Sequence, residues 1–233
     1  SNEEVSIPFC LSWANENWTR AWEGKSNVVL IEQNYGGEQE WMNHIEYLIP
    51  FFTDKRYIKI EGKPVFLIYR TESFNRFDEM LSYWNETLER RGLETLFVVE
   101  MLTSFQKDAK CRNSQAVLEF EPMFTIGEPN SFLYKLKSIV QKRISILTGR
   151  YYKTFDYESV WEKIIKRRSD HKDKEIFKGA FTDWDNSPRF GNKATIFVNV
   201  SPQKFHNNLV RLIKKAQTRY IFINAWNEWS EGA

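Results

Sequence analysis

Six short apolar runs, separated by segments with helical periodicity, constrain the fold of this 233-residue chain more than any other feature. Each run has the length and the β-branched or aromatic content of a strand. Their hydrophobicity is continuous rather than alternating, which is typical of strands covered on both faces in a parallel sheet. We predict strands at Ile7–Ser12, Pro64–Tyr69, Leu96–Glu100, Ala116–Phe120, Lys178–Thr182 and Tyr220–Asn224.

The segments between these runs carry apolar residues at helical spacing. We predict helices at Glu38–Phe52, Arg76–Arg91, Ser131–Leu147, Tyr157–Arg168 and Pro202–Ala216. Two short pairs, Val29–Ile31 and Tyr57–Ile60, are interpreted as small excursions, the second a hairpin through Glu61-Gly62-Lys63.

The alternation of strand and helix predicts an α/β fold, a (β/α)8 TIM-type barrel of which about six of the eight β/α units lie in this chain. We expect the two further units in sequence beyond these 233 residues, and an open doubly wound sheet is the alternative. One domain is predicted over residues 1–233, with an elaborated helical connection at about 125–175.

Composition and motifs exclude several classes of partner. The 33 basic and 31 acidic residues leave a formal charge of +2, which gives no electrostatic argument for nucleic acid. No apolar run approaches the roughly 18 residues of a membrane span, and Ser1–Val5 lacks the basic region of a signal peptide, so we expect a cytoplasmic location. Neither the two cysteines nor the three histidines have metal spacing, and nucleotide-binding motifs are absent, so we expect no metal and no cofactor. The sequence predicts no oligomeric state.

Charged, amide and aromatic residues follow the predicted strands directly. In a parallel barrel, the carboxyl ends of the strands form one rim, and that rim carries the active site. We therefore predict substrate-binding residues there: Trp13, Asn15, Glu16, Asn17, Trp18, Arg20, Tyr69, Arg70, Glu100, Glu121, Asp183, Trp184, Asp185, Asn224, Trp226, Asn227 and Trp229.

Glu228 and Glu231 stand three residues apart just after the last predicted strand. Chemistry at a glycosidic linkage needs one carboxylic acid to protonate the departing oxygen and a second carboxylate as base or nucleophile. If the chain turns helically here, both side chains face one cleft, where each raises the apparent pKa of the other. We predict these two residues to be catalytic; a capped helix start with solvated glutamates is the structural alternative.

The segment Trp13–Trp18 combines two indoles, two amides and a carboxylate, which can stack on a sugar ring and bind its hydroxyls. Its alternative interpretation is indole packing with asparagine turns. Asp183–Asn186 has the same two interpretations, since Asp-Asn-Ser-Pro188 is also good turn chemistry. The Asp183-Trp-Asp185 pattern is only a weak sign of the metal-holding motif of nucleotide-sugar transferases.

The sequence resembles the WbsX-like polysaccharide-biosynthesis family, which contains a domain similar to glycoside hydrolase family 99. The resemblance covers nearly the whole chain and rests on the segments Pro8–Arg20, Asp54–Pro64 leading to Tyr69-Arg70, Trp184–Asn186 and Asn224–Gly232. It implies a (β/α)8 barrel with two units before the Trp13–Trp18 segment. In family 99 the related C-terminal segment reads Asn-Glu-Trp-His-Glu, and Ser230 replaces that histidine here.

The resemblance also implies chemistry. Family 99 enzymes act with retention on α-mannosides through participation of the sugar's own 2-hydroxyl. By match, Glu228 is expected to be the general base and Glu231 the general acid/base. We expect a carbohydrate-active enzyme that cleaves or transfers linkages of a bacterial oligosaccharide or polysaccharide. A glycosyltransferase of O-antigen or capsule biosynthesis and a non-catalytic glycan-binding module are the alternatives.

Overall fold

The structure, a computed structural model, describes residues 5–20, 25–127, 153–171, 173–191, 194–228 and 232. The predicted helix Ser131–Leu147 lies outside these residues. The described strands are β1 Leu11–Trp13, β2 Trp18–Arg20, β3 Lys25–Ile31, β4 Lys59–Ile60, β5 Lys63–Ile68, β6 Phe97–Leu102, β7 Ala116–Glu119, β8 Lys153–Asp156, β9 Glu175–Phe181, β10 Thr195–Val198 and β11 Ile221–Asn224. The described helices are α1 Glu38–Phe52, α2 Phe77–Arg90, α3 Met123–Ile126, α4 Tyr157–Lys166, α5 Ser187–Phe190 and α6 Pro202–Lys215.

The main sheet has a path of six strands in the order β1-β5-β6-β7-β9-β11, and β4 pairs with β5 in a hairpin. All neighbours along the path are parallel, and the order follows the chain without reversal. A doubly wound sheet reverses its order at an inner strand, so that alternative is wrong. Each predicted strand overlaps one strand of this path, and the predicted incomplete TIM-type α/β fold is confirmed.

The two faces of the sheet have different cores. On one face, Phe66 and Val98 pack against α1 and α2 through Ile45, Leu81 and Trp84. On the other face, the buried cluster is built largely from strand residues such as Leu67, Val99, Leu118 and Phe177. Cys10, next to β1, and Phe222 in β11 line one apolar cavity of about 180 Å³. The two ends of the strand path therefore face the same interior space, as in a sheet curled into a half-barrel.

Three of the long helices, α1, α4 and α6, begin at capping groups that their own sequences supply. The Glu40 carboxylate of α1 accepts a hydrogen bond from Gly37 N at 2.9 Å. Asp156 and Ser201 cap α4 and α6 in the usual way, since their side-chain oxygens accept from backbone N–H groups of the first turn. Predicted and observed helix ends agree to within two residues for α1, α2, α4 and α6, although no side-chain cap begins α2.

Two small sheets were not predicted. Val29–Ile31 belongs to β3, which pairs antiparallel with β2 instead of forming an isolated excursion. The parallel pair of β8 and β10 places a strand, Lys153–Asp156, in the connection that we expected to be helical. Both pairs lie off the main sheet. In each pair, one strand, β2 or β8, mixes polar and apolar residues, while β3 and β10 carry apolar runs that we did not assign to barrel strands.

Among the residues that the structure describes, no helix is long and apolar enough to cross a membrane. The same residues contain no group of three or more His, Cys, Asp or Glu side chains that could hold a metal ion.

Candidate functional site

A cleft of about 680 Å³ opens at the carboxyl rim of the half-barrel. Its walls come from the segments after β1, β5, β6 and β9, so four separate connections build it. The residues that line it are Asn15, Glu16, Asn17, Thr19, Glu32, Gln33, Tyr35, Tyr69, Arg70, Ser73, Phe105 and Phe190. Five of the residues predicted to bind substrate are therefore brought together here: Asn15, Glu16, Asn17, Tyr69 and Arg70.

Asn15 joins the segments after β1 and β5 at the floor of the cleft. Its side chain is fully buried. The amide nitrogen donates to the Arg70 carbonyl at 2.7 Å and to the Tyr35 hydroxyl at 3.0 Å. The amide oxygen accepts from Arg70 N at 2.8 Å. Because every contact fixes a neighbour and no surface of the side chain is exposed, the predicted substrate contact by Asn15 is corrected to a role in holding Arg70 and Tyr35 in place.

Arg70 is a partly buried cation held by two carboxylates. Its guanidinium donates to Glu72 at 2.6 Å and to Glu16 at 3.0 Å. Burial opposes its charge, but the hydrogen bonds to Glu72 and Glu16 outweigh burial and raise the pKa of Arg70. The guanidinium carbon also lies 4.2 Å from the centroid of the Phe105 ring, in cation–π contact. These contacts fix its position in the cleft wall.

Glu100, predicted to bind substrate, is instead fully buried. Its carboxylate binds the segment after β6 to the start of the segment after β5. It accepts hydrogen bonds from Thr71 Oγ1 (2.7 Å), Gln106 Nε2 (3.1 Å), Lys110 N (2.8 Å), Cys111 N (3.1 Å) and Ser114 Oγ (2.6 Å). With no exposed surface, it has no direct contact to offer a substrate, and the prediction is corrected to a role in holding these two segments.

Glu121 and its neighbour Glu119 are also buried, so a substrate contact by Glu121 is corrected in the same way. Arg167 lies 2.8 Å from the Glu121 carboxylate and 3.2 Å from that of Glu119. Burial raises the pKa of Glu121 more strongly than Arg167 lowers it. For Glu119, burial is outweighed by His171, whose Nε2 lies 3.9 Å from the carboxylate, and by the charge of Lys178 at 2.8 Å, which bring its pKa down to about 2.

Two of the predicted sugar-stacking indoles belong to the core. Trp13 lies 4.6 Å from the His44 ring and 6.1 Å from the Trp84 ring between centroids. Trp184 is 6% exposed and packs in the cluster around α4 and α6. Both positions favour the packing interpretation over sugar stacking, because neither ring offers a wide exposed face. Trp18, in contrast, is 60% exposed at the start of β2, and Arg20, the last residue of β2, is half-buried.

The segment after β9 follows the turn interpretation in part. The Asp185 carboxylate accepts from Ser187 N at 2.8 Å, and the Asn186 side chain accepts from Thr195 N at 2.7 Å. Asp183 is half-buried, and burial raises the pKa of its carboxyl group. Asp185 and Asn186 thus hold the backbone of this turn. Asp183 is half-buried with a raised pKa, and its substrate contact stays a prediction.

The C-terminal run follows β11 at the same rim. The Asn224 amide donates to the Glu121 carbonyl at 3.0 Å, which attaches the start of the run to the segment after β7. Trp226 is 92% exposed, and Asn227 and Glu228 are also exposed. Glu231 and Trp229 lie outside the described residues, so the pairing of Glu228 with Glu231 stays a prediction. An ideal Cβ on Gly232 would lie 3.2 Å from the Asp185 carbonyl oxygen, which shows that the run returns to the segment after β9.

Sequence reasoning missed several residues of the cleft. Tyr35, Phe105 and Phe190 were not predicted, because none of them directly follows a predicted strand. Phe105 comes three residues after β6, and that position was the available signal. Tyr35 and Phe190 lie far from any main-sheet strand end, and only the folded connections bring them to the rim.

A curled sheet of consecutive parallel strands, with a polar and aromatic cleft at its carboxyl rim, defines an α/β half-barrel with its site on the strand-end connections. The chain belongs to the family described as "Glycosyltransferase WbsX", whose model matches residues 1–233. The family resemblance read from the sequence motifs is therefore confirmed.

Curated relatives include two proteins of Xanthomonas campestris pv. campestris, both described as "Uncharacterized protein WxcX". The one from strain B100 is 26% identical over 239 residues, covering all of this chain and 33% of the relative. The one from strain ATCC 33913 is 25% identical with the same coverage. The chain thus spans about a third of the length of these relatives.

Similar solved structures include a "Glycoside hydrolase-like protein". The match covers 83% of this chain and 52% of the chain of that protein, with 13% sequence identity and a TM-score of 0.45. Another is a family 99 endo-alpha-mannosidase from Bacteroides thetaiotaomicron. That match covers 85% of this chain and 52% of the mannosidase chain, with 12% sequence identity and a TM-score of 0.41. At these scores, the fold assignment rests on the strand order given above.

Proposed function

We propose that this chain forms the cleft and supplies the two catalytic carboxylates of an enzyme that cleaves or transfers glycosidic linkages of a bacterial polysaccharide. One observation carries the proposal. The segments after β1, β5, β6 and β9 build a cleft of carboxylate, amide, guanidinium and aromatic groups, and the C-terminal run with Glu228 leaves β11 at the same rim. Such a mixture suits a ligand with many hydroxyl groups and apolar ring faces.

The reaction that we assign needs two carboxyl groups and no other reactive side chain. Glu231 donates a proton to the glycosidic oxygen as the bond from the anomeric carbon to that oxygen breaks. Glu228 accepts a proton from the group that attacks the anomeric carbon, which by family resemblance is the sugar's own 2-hydroxyl. Water or an acceptor hydroxyl then attacks the anomeric carbon and gives its proton to Glu231, while the bond from that carbon to the 2-oxygen breaks and Glu228 returns its proton to the 2-oxygen.

Hydrolysis and transfer differ in the group that finally receives the sugar. The family description favours transfer, whereas the name of the endo-alpha-mannosidase neighbour favours hydrolysis and suggests α-mannosides as first substrates to test. The two reactions share the roles of Glu228 and Glu231. We place hydrolysis first because the two-carboxylate chemistry needs neither a nucleotide nor a metal ion.

The first test measures turnover of α-mannosides and polysaccharide repeat-unit oligosaccharides by the complete protein. We expect Glu228→Gln and Glu231→Gln each to lower the rate by at least about a hundredfold, because each removes an acid/base group. New reducing ends indicate hydrolysis, and elongation that requires an activated sugar donor indicates transfer.

Glu89→Gln is the matched control, since Glu89 is an exposed glutamate of α2 that does not line the cleft. Its rate is expected to equal that of the parent. Parent-like rates in both the Glu228 and Glu231 variants would contradict the proposal, and tight oligosaccharide binding without turnover by the parent would favour a glycan-binding module.

A further inference from the structure

Phe105 is an exposed aromatic residue on the wall of the cleft. It is 60% exposed and lies in the segment between β6 and β7. Single exposed apolar residues are common on protein surfaces, so exposure alone indicates nothing. What distinguishes Phe105 is that it lines the cleft and that the Arg70 guanidinium lies 4.2 Å from its ring centroid. One ring face thus contacts a fixed cation, and the exposed surface is presented to the cleft.

The backbone around Phe105 is held by buried polar groups. Phe105 N donates to Thr103 Oγ1 at 3.2 Å, and Thr103 N donates to the Gln106 carbonyl at 3.0 Å. Gln106, 3% exposed, donates to Glu100 at 3.1 Å and accepts from Glu72 N at 3.0 Å. Glu72 in turn binds Arg70. These contacts form a closed network, so the ring and the guanidinium are fixed before any ligand arrives.

The charge of the cleft indicates which sugars fit. Among the described lining residues, Arg70 is the cation, and Glu16 and Glu32 are carboxylates. Arg70 is already neutralised by Glu16 and Glu72. An anionic sugar would be repelled, because the cleft carries more negative than positive charge. A neutral sugar would meet no such repulsion. Glu16 and the amides of Asn17 and Gln33 can pair with its hydroxyl groups.

We propose that Phe105, fixed by Arg70 and by the network around Glu100, is a stacking platform for the apolar face of an uncharged sugar ring. This assignment rests on the proposed carbohydrate function and adds the substrate class of one subsite. Phe105 contacts the sugar directly, and Arg70 and Glu100 are positioning residues that act through it. The C–H groups on one face of a neutral pyranose supply the apolar surface that such a ring binds.

The test titrates the complete protein with methyl α-mannopyranoside, methyl α-glucopyranoside and methyl glucuronide, followed by saturation-transfer NMR. Phe105→Ala is expected to weaken binding of the two neutral glycosides about tenfold, as expected for loss of one aromatic contact. Phe105→Trp is expected to retain binding. The strongest saturation should fall on ring protons of one sugar face, and the glucuronide should bind more weakly than the neutral glycosides.

Tyr47→Ala is the matched control, because Tyr47 is 68% exposed on α1 and does not line the cleft. Its binding constants should equal those of the parent. Parent-like binding by a folded Phe105→Ala variant, or tighter binding of the glucuronide, would overturn the platform. Binding that depends on Phe105, together with full turnover in the Glu228 and Glu231 variants, would overturn the proposed chemistry but leave the platform. A parent that binds none of the glycosides would overturn both.

Discussion

At the scale of single residues, burial separates the carboxylates that shape the rim from those that can act there. Glu100 lies within β6, Glu119 ends β7 and Glu121 follows β7, and all three are buried and bound by protein groups. Glu16 and Glu228 keep surface that a ligand can reach. Sequence position near a strand end therefore identified the rim. Burial then separates the carboxylates that bind other protein groups from those that a ligand can reach.

Glu119 makes a prediction about acid stability. Its pKa falls from an ordinary value near 4.5 to about 2 on folding, because His171 and Lys178 outweigh the effect of burial. A lowered carboxylate pKa stabilises the folded state above the unfolded pKa, and this stability is lost as pH falls from about 4.5 towards 2. The loss should amount to roughly 3 kcal/mol in the free energy of unfolding.

Urea denaturation at a series of pH values from about 6 to about 2 measures this effect, because that range covers the pKa of Glu119 in the unfolded and in the folded chain. We expect Glu119→Gln to lower stability near neutral pH and to flatten its decline with acid, while Glu89→Gln follows the parent. An identical pH profile for parent and Glu119→Gln would show that this ion pair does not control acid stability.

At the scale of elements, the backbones of β7 and β9 approach closely at Gly179. An ideal Cβ on Gly179 would collide with the Glu119 carbonyl oxygen and would lie 2.8 Å from Glu121 N. Lys178, the residue before it, binds Glu119 across the same pair of strands. The close approach at Gly179 allows β9 to pair with β7 while the segment Phe120–Pro122 passes over it.

Gly179→Ala is expected to destabilise the folded chain by about 2–4 kcal/mol, because the added methyl group meets backbone atoms that cannot move aside. Gly37→Ala is the control. A Cβ on Gly37 would meet nothing closer than 3.9 Å, and an N-terminal cap change of this kind costs under about 1 kcal/mol. Thermal unfolding compares the two, and equal melting temperatures would contradict the account of this junction.

The elements also show what could be read from the sequence. The central strands β5, β6, β7 and β9 were predictable because burial leaves nearly continuous apolar runs, and β1 and β11 because they keep apolar runs although they are partly exposed. The helices α1, α2, α4 and α6 were predictable from apolar residues at helical spacing. The pairs β2–β3 and β8–β10 were not, since their residues are partly exposed and mixed in polarity. At the site, Asn15, Glu16 and Arg70 were found from their positions, whereas Phe105 and Tyr35 depend on how connections fold over the rim.

At the scale of the whole molecule, β1 and β11 end the strand path, and each is paired on one side only among the described strands. Ile7, before β1, is 70% exposed, and Ile223 in β11 is 46% exposed. Curated relatives are about three times as long as this chain. We propose that residues 1–233 are one barrel domain and that two further β/α units complete it by pairing with these edges.

The central claim is that Glu228 and Glu231 act together on a glycosidic linkage held in the rim cleft. The most direct measurement is a crystal structure of the complete protein carrying Glu231→Gln, with a substrate oligosaccharide bound. The account predicts the glycosidic oxygen within about 3.2 Å of the side chain at position 231, with the Glu228 carboxylate on the same sugar ring and the chain lying along the cleft beside Phe105. Side chains at 228 and 231 that point apart into solvent, with the sugar bound elsewhere, would contradict it.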